Sequence, residues 1–125
     1  MENKKTVLAI DDNQMLLDLL EKMLNDSFNV ETANSASTAL SYLNTKKIDI
    51  ILLDIEMPNI SGFDFLYDVR KIPSYVKTPI IIVSGHREPE FLEEARNSSA
   101  FDVLIKPVRK DVLIKTIEKS LAVSG

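Results

Sequence analysis

The amino-acid sequence predicts an α/β fold in which a five-stranded parallel sheet carries helices on both faces. Three observations lead to this fold class. Short apolar runs alternate with longer segments whose apolar residues recur at helical spacing. The middle runs are apolar at nearly every position, as in strands that are covered on both faces. The strands and helices alternate in five pairs, which favours parallel strands joined by right-handed crossovers.

The first two strand–helix pairs occupy the first third of the chain. Residues 7–10 form an apolar run that predicts the first strand. Apolar residues then recur at helical spacing over residues 13–25, and Asn13 is a suitable N-cap for this helix. Phe28, Val30 and Thr32 alternate with polar neighbours over residues 28–32, which is typical of a half-exposed edge strand. Ser35 is the candidate cap of a second helix, whose inner stripe consists of Ala36, Ala39, Leu40 and Leu43.

The other three pairs follow in the same order. Residues 48–53 are almost continuously apolar and end at Asp54, and Pro58 and Gly62 break the chain before a third helix. The most β-branched run, residues 80–83, predicts the fourth strand. The remaining elements are a thinly apolar helix over residues 88–97, a strand over residues 103–105, and a last helix marked by Val112, Leu113, Ile117 and Leu121.

Length and composition restrict the class of protein. The 125 residues suit one domain, 1–125, and 45% apolar and 27% charged residues are ordinary for a globular protein. Cysteine is absent, which excludes disulfides and thiolate sites and fits a cytoplasmic location. No apolar run approaches the roughly 20 residues that span a bilayer. With a net charge of −4 and scattered lysines, binding of nucleic acid is not expected.

Polar residues occur where the predicted strands end. Asp11 and Asp12 follow the first strand, Asp54 the third, Ser84 the fourth and Lys106 the fifth. Ligands of open α/β sheets bind beyond the carboxyl ends of the strands, so these side chains are expected to converge there. Singly, each is a common loop residue, and it is their joint placement that indicates a site.

The residue types indicate phosphoryl chemistry. Three clustered carboxylates repel one another unless a cation lies among them, and oxygen ligands in a small open site suit Mg²⁺. The carboxylate of Asp54 is the candidate nucleophile, because a carboxylate can accept a phosphoryl group. Lys106 offers positive charge to the transferred group, and the hydroxyl of Ser84 can donate a hydrogen bond to a phosphoryl oxygen.

Four motifs in this order resemble those of the receiver domains of two-component response regulators. They are Asp11-Asp12, Asp54-Ile-Glu-Met-Pro58 with Gly62, Ser84-Gly85, and Lys106-Pro107, and the resemblance covers essentially the whole chain. It implies a flavodoxin-like sheet of order 2-1-3-4-5. It also implies that Asp54 accepts a phosphoryl group from a sensor histidine kinase or a histidine phosphotransfer protein. Beyond this self-phosphorylation and its hydrolysis, no enzyme activity is expected.

The resemblance also assigns roles to the site residues. Asp12, Asp54 and the backbone carbonyl of Glu56 ligate Mg²⁺, and Asp11 acts mainly through a metal-bound water. Lys106 pairs with the phosphoryl oxygens, and its bond to Pro107 is cis. Ser84 moves towards the phosphoryl group and shifts the fourth strand, fourth helix and fifth strand. The face formed by the fourth helix, fifth strand and fifth helix is expected to switch, and it is the expected surface for a downstream target and for a phosphorylation-dependent dimer.

Two features are peculiar to this chain. Receiver domains often carry an aromatic switch residue three positions before the lysine, whereas this chain has Val103 there. Phe101, two residues earlier on the same strand face, is a candidate replacement. The residues two beyond Asp54 and Ser84 are Glu56 and His86, and we hypothesise that they, or a pair between them, alter autodephosphorylation.

Three other functions compete with this one. A receiver that signals without phosphate would serve only as an interaction module, and the five site residues argue against it. An aspartate-nucleophile phosphohydrolase usually carries a second acid two residues after the nucleophile, followed by Thr or Val. Here Glu56 is followed by Met57-Pro58, which argues against this class of enzyme. A flavodoxin-like redox protein would need a phosphate-cradling loop where Asp11 and Asp12 stand. No output domain is predicted within these residues, which suits a stand-alone protein or one receiver of a longer regulator or hybrid kinase.

Overall fold

The computed structural model describes residues 4–56 and 61–124. Within these ranges five strands alternate with five α-helices, and one short 3-10 helix is added. The elements are β1 (Thr6–Ile10), α1 (Gln14–Leu24), β2 (Asn29–Ala33), α2 (Ala36–Thr45), β3 (Ile50–Leu53), α3 (Gly62–Arg70), the 3-10 helix (Pro73–Tyr75), β4 (Ile80–Ser84), α4 (Pro89–Asn97), β5 (Asp102–Ile105) and α5 (Lys110–Ser124). The predicted alternation of strands and helices is confirmed, and the 3-10 helix is an addition to it.

The strands form one parallel sheet in the order β2-β1-β3-β4-β5. This is the flavodoxin-like order that the resemblance implied. The chain runs outward from β1 to one edge at β2 and then returns past β1 to the other half of the sheet. The reversal places the carboxyl ends of β1 and β3 side by side, which is where open α/β sheets bind ligands.

Alternate residues of each strand pack against opposite layers of helices. In β1, Leu8 and Ile10 belong to the core cluster that contains residues of α2, α3 and α4. Val7 and Ala9 belong to the cluster that contains residues of α1 and α5. Since side chains alternate across a strand, one strand contributes to both cores. The sheet is therefore covered on both faces, as predicted.

Local capping chemistry starts the helices where the sequence predicted them. The side chain of Asn13 accepts a hydrogen bond from the backbone N–H of Leu16 at 3.2 Å. Ser35 caps α2 in the same way by accepting from the backbone N–H of Thr38 at 3.2 Å. These bonds satisfy N–H groups that have no partner inside the helix. Both predicted caps are thus confirmed.

Two strands begin later than the apolar pattern suggested. Phe28 is buried but lies outside β2, because its backbone N–H bonds to the carbonyl of Leu24 at the end of α1. Ile48 is buried ahead of β3, and Asp49 intervenes with a carboxylate that accepts the backbone N–H of Thr6 at 2.8 Å. In both places an apolar side chain fills the core while its backbone is outside the ladder.

The remaining fold predictions concern single features. The peptide bond between Lys106 and Pro107 is cis, as the resemblance implied. Met57 and Pro58 of the acceptor motif lie outside the described residues. Over residues 4–56 and 61–124, none of the helices combines the length and the apolar character needed to cross a membrane.

Candidate functional site

The carboxyl ends of β1 and β3 deliver three aspartates to one place. Asp11 and Asp12 leave β1, and Asp54 leaves β3, whose last residue is paired with the last residue of β1. One carboxylate oxygen from each aspartate lies within 4.8 Å of the other two. Asp11 and Asp54 are buried, whereas Asp12 is exposed. The cluster therefore has a closed floor and an open mouth.

Backbone groups hold the buried carboxylates in position. The backbone N–H of Asp54 donates to the carbonyl of Ile10 at 2.9 Å and so extends the pairing of β1 with β3. The Asp54 Oδ1 atom accepts the backbone N–H of Glu56 at 3.0 Å, and Asp11 Oδ1 accepts that of Asn13 at 2.9 Å. Each carboxylate keeps its second oxygen for other partners.

The ammonium group of Lys106 reaches both buried carboxylates. Its Nζ atom lies 3.0 Å from Asp11 Oδ2 and 3.6 Å from Asp54 Oδ2. Burial alone would lower the pKa of Lys106, but the hydrogen bond to Asp11 and the charges of both aspartates outweigh it, so the pKa is raised. Lys106 therefore stays positively charged beside Asp54.

Asp54 has a strongly perturbed acidity. Burial, together with the smaller effect of the neighbouring Asp11, raises the pKa of its carboxyl group from the usual 3.8 to about 6, against the lowering effects of the Glu56 N–H and Lys106.

The three carboxylate groups and the one ammonium group of the site leave a surplus of negative charge. An oxygen-lined site of this kind fits Mg²⁺, with its preference for carboxylate ligands, retained water and an open side.

Ser84 enters the site from the end of β4, as predicted, but its hydroxyl group is engaged with Glu56. The Ser84 Oγ atom donates to Glu56 Oε1 at 3.2 Å and accepts the backbone N–H of His86 at 3.1 Å. The serine is fully buried. A hydroxyl group has one proton, so a hydrogen bond from Ser84 to a phosphoryl oxygen requires that the bond to Glu56 be broken.

Glu56 and His86, which the sequence suggested as a pair, are in contact. The Nε2 atom of His86 lies 2.8 Å from Glu56 Oε2, while its Nδ1 atom lies 2.9 Å from Glu88 Oε2. His86 therefore bridges two carboxylates at the mouth of the site. Glu88 was not among the predicted site residues, because it lies at the start of a helix, where an acidic residue is usually explained by the helix dipole.

The structure places Val103, which stands in the position of the usual aromatic switch, and its candidate replacement Phe101 in different surroundings. Val103 is half-buried and packs against the core cluster on the side of α2, α3 and α4. Phe101 precedes the strand and is exposed, lining a surface groove with Val76 and Val123. Phe101 thus lies at the amino end of β5, whereas Lys106 and the aspartates lie at the carboxyl end. Its replacement of the aromatic switch stays a prediction.

The sequence of residues 7–118 matches the family model described as the response regulator receiver domain. Among the similar curated proteins is the two-component response regulator ARR10 of Arabidopsis thaliana, 36% identical over 110 residues that make up 86% of this chain and 19% of that protein. Another is the cell cycle response regulator CtrA of Brucella ovis, 38% identical over 112 residues, 89% of this chain and 47% of that protein. The chain spans less than half the length of these curated relatives.

Solved structures of response regulator proteins are also similar to this chain. The chemotaxis protein CheY4 of Vibrio cholerae is similar with a TM-score of 0.89 and 32% identity, over 95% of this chain and 100% of that one. A receiver domain protein of Methanospirillum hungatei is similar with a TM-score of 0.89 and 25% identity, over 98% and 97% of the two chains. The likeness extends over nearly the whole of each domain.

Proposed function

The chain belongs to the response regulator receiver domain family, and on that premise we propose that it accepts a phosphoryl group on Asp54 in the presence of Mg²⁺. The observation that carries the proposal is the position of Asp54. It is buried at the carboxyl end of β3, with Lys106 at 3.6 Å and with two further aspartates beside it. A carboxylate held in this way can act as a nucleophile, and the ammonium group of Lys106 can stabilise the negative charge of the incoming phosphoryl group.

The proposed reaction is a phosphoryl transfer to oxygen. A carboxylate oxygen of Asp54 forms a bond to phosphorus while the bond from phosphorus to the donor breaks. With a phosphohistidine donor the leaving group is the imidazole nitrogen, which keeps the electron pair of that bond and takes up a proton. The product is an aspartyl phosphate, and its hydrolysis returns Asp54 and inorganic phosphate.

Asp12, Asp54 and the backbone carbonyl of Glu56 are proposed to hold Mg²⁺, with Asp11 acting through water. The ion would neutralise charge on the transferred phosphoryl oxygens. The ammonium group of Lys106, which contacts both Asp11 and Asp54, would stabilise the same oxygens with its positive charge. Ser84 then donates a hydrogen bond to a phosphoryl oxygen, and its hydrogen bond to Glu56 is broken.

The partners are proposed from the family. Receiver domains take phosphoryl groups from histidine kinases or histidine phosphotransfer proteins, and we propose one of these as the donor. The expected output is a shift of the face formed by α4, β5 and α5, which would bind a downstream target or a second copy of the chain. The assignment of residues 1–125 to a single receiver domain and the cytoplasmic location stay predictions.

The test is phosphorylation by acetyl phosphate in the presence of Mg²⁺, followed by intact mass measurement. A gain of one phosphoryl group that requires Mg²⁺ is expected for the native chain and for Asp26→Asn. Asp26 is exposed and lies just beyond α1, so this variant makes the same chemical change outside the site. Asp54→Asn should show no gain, and a gain that persists in it would overturn the assignment of the acceptor.

An absent gain would have two explanations that a second measurement separates. Beryllofluoride mimics a bound phosphoryl group and does not hydrolyse, so binding of beryllofluoride with Mg²⁺ would indicate rapid dephosphorylation. Failure to bind it would favour the interaction module without phosphate signalling. Multiple turnover of a generic phosphate monoester would favour the phosphohydrolase instead.

A further inference from the structure

The hydroxyl proton of Ser84 is donated to Glu56 in the unphosphorylated site. The bond from Ser84 Oγ to Glu56 Oε1 measures 3.2 Å and is buried at the serine end. The same oxygen of Ser84 accepts the backbone N–H of His86. Because the hydroxyl group has a single proton, every phosphoryl-bound state of Ser84 competes with this arrangement.

The carboxylate of Glu56 is itself held by a chain of contacts that ends at Glu88. His86 Nε2 lies 2.8 Å from Glu56 Oε2, and His86 Nδ1 lies 2.9 Å from Glu88 Oε2. The same oxygen of Glu88 also accepts the backbone N–H of Arg87 at 3.1 Å. We refer to these contacts as the Glu56–His86–Glu88 bridge.

The carboxylate of Glu88 contacts His86 and nearby backbone N–H groups, but it does not cap α4. It occupies the N-cap position of α4, yet its side chain makes no capping hydrogen bond. The ring of His86 also lies 5.4 Å from that of Phe91, and Phe91 lies 6.0 Å from Phe63 of α3. The imidazole is thus oriented by a carboxylate at one edge and by an aromatic ring at its side.

From this geometry we propose that Glu88 is a positioning residue for phosphoryl transfer, which through His86 holds the Glu56 carboxylate on the Ser84 hydroxyl group and so latches the unphosphorylated site. The inference rests on the proposed function, since it assigns Ser84 to the phosphoryl group. The bridge holds Glu56 by its Oε2 atom while Oε1 accepts the Ser84 hydroxyl proton. It therefore favours the latched state, and a phosphoryl group must bind against that preference.

The size of the effect follows from the exposure of the bridge. Glu88 is exposed at the mouth of the site, where ion pairs are screened by solvent. Removal of one such contact is expected to change the equilibrium between latched and released states by roughly two- to five-fold. The affinity for beryllofluoride with Mg²⁺, and the rate of phosphorylation by acetyl phosphate, should rise by that factor.

The experiment compares the native chain with Glu88→Ala, Glu88→Gln and Glu93→Ala at one fixed pH. Glu93 is an exposed acid on the same helix, and its substitution removes the same charge. Glu88→Ala should show the two- to five-fold increase, Glu88→Gln should lie close to the native chain because it keeps an acceptor oxygen, and Glu93→Ala should match the native chain. Equal increases in Glu88→Ala and Glu93→Ala would show a general charge effect and overturn the proposal.

A double-variant cycle tests whether Glu88 acts through His86. In a His86→Ala background the substitution Glu88→Ala should add nothing, because the link to Glu56 is already gone. An undiminished increase in that background would overturn the proposal, since Glu88 would then act on the site by another route.

Nuclear magnetic resonance supplies a readout that needs no phosphoryl group. The chain contains one histidine, so its ring ¹⁵N signals belong to His86. Glu88→Ala should shift both the Nδ1 signal and the Nε2 signal, whereas an Nε2 signal that does not move would overturn the positioning role. If the Nε2 signal moves but the native chain takes up neither phosphate nor beryllofluoride, Glu88 positions Glu56 and the proposed function fails instead.

Discussion

At the scale of single residues, the site is governed by charges that the fold removes from water. Asp54 and Asp11 are both at most 3% exposed, and Lys106 contacts both. One ammonium group cannot compensate two buried carboxylates and the nearby Asp12. Burial first, and then the charge of Asp11, raise the pKa of Asp54, so the folded site favours the protonated form of this carboxyl group.

The raised pKa of Asp54 predicts a pH-dependent gain in stability for Asp54→Asn without metal. The pKa of Asp54 is about 6 in the folded chain and about 3.8 in its usual state, so the folded state binds the proton more tightly. The free-energy cost of ionising Asp54 in the folded chain is therefore absent below pH 4, grows between pH 4 and pH 6, and is complete above pH 6. The substitution removes this cost. At pH 7.5 the free energy of unfolding of the variant should exceed that of the native chain by about 1–2 kcal/mol, after allowance for screening by solvent at the open side of the site.

Urea denaturation in a chelator at pH 4.5 and pH 7.5 measures this difference. Asp26→Asn serves as the control and should differ little from the native chain at either pH. An advantage of Asp54→Asn that is the same at both pH values would show that its origin is not the ionisation of Asp54.

The two glycines near the site predict opposite responses to the same substitution. A Cβ atom at Gly62 would overlap the backbone of Ile55, whereas one at Gly85 would meet only Glu56 Oε1 at 3.9 Å. Gly62→Ala should therefore cost about 1–3 kcal/mol, because it forces the start of α3 away from Ile55 in the segment that follows β3. Gly85→Ala should stay within about 0.5 kcal/mol of the native chain. Chemical denaturation of the two variants measures both effects, and equal losses would contradict the close approach of Gly62 to Ile55.

At the scale of elements, side chains fasten segments that the sheet itself does not join. Arg70, at the end of α3, donates to the carbonyls of Tyr75, Thr78 and Ser99 and to the Ser99 hydroxyl. It thereby links α3 to the segment before β4 and to the segment before β5. Its half-buried position lowers the pKa of the guanidinium group, although its charge is retained.

Replacement of Arg70 by lysine should weaken this link although the charge is kept. An ammonium group cannot reach three carbonyls with the planar geometry of a guanidinium, so Arg70→Lys should cost about 1–2 kcal/mol of unfolding free energy. Arg96→Lys is the matched control, because Arg96 is exposed on α4. If the two variants unfold at the same denaturant concentration, the three carbonyl groups that Arg70 binds must find other hydrogen-bond donors in Arg70→Lys.

At the scale of the whole molecule, the parallel sheet brings together residues that are far apart in the chain. Asp11 and Lys106 are separated by 95 positions, yet their side chains meet at 3.0 Å. The two helical layers cover both faces and leave the carboxyl edge open between them. Binding of a cation at this edge would therefore be coupled to the folding of the chain.

That coupling predicts that Mg²⁺ stabilises the fold. At a free concentration of ten times Kd, a ligand that binds only the folded state adds about 1.4 kcal/mol. For a chain of this size the Tm should rise by roughly 4–7 °C. Thermal unfolding with and without Mg²⁺ measures the rise, which should be smaller in Asp12→Asn and unchanged in Asp26→Asn. A Tm that does not respond to Mg²⁺ would argue against a metal site formed by these aspartates.

Local chemistry made much of the architecture predictable. The alternation of apolar runs with helical spacing predicted the sequence of strands and helices, because burial on a sheet or a helix imposes a period on neighbouring residues. Caps such as Asn13 and Ser35 were predictable for the same reason, since their bonds join residues three positions apart. The motifs at the strand ends predicted that Asp11, Asp12, Asp54 and Lys106 converge, but they gave no sign of Glu88.

The sequence by itself therefore determined the fold class, the order of the elements and the residues at the carboxyl edge. Only the tertiary structure decided which atoms meet there. Lys106 lies closer to Asp11 than to Asp54, and the hydroxyl of Ser84 is bound to Glu56. Periodicity reports which face a residue occupies, but such contacts depend on rotamers and on distances between remote segments. That is why the link from Glu88 through His86 became visible only in three dimensions.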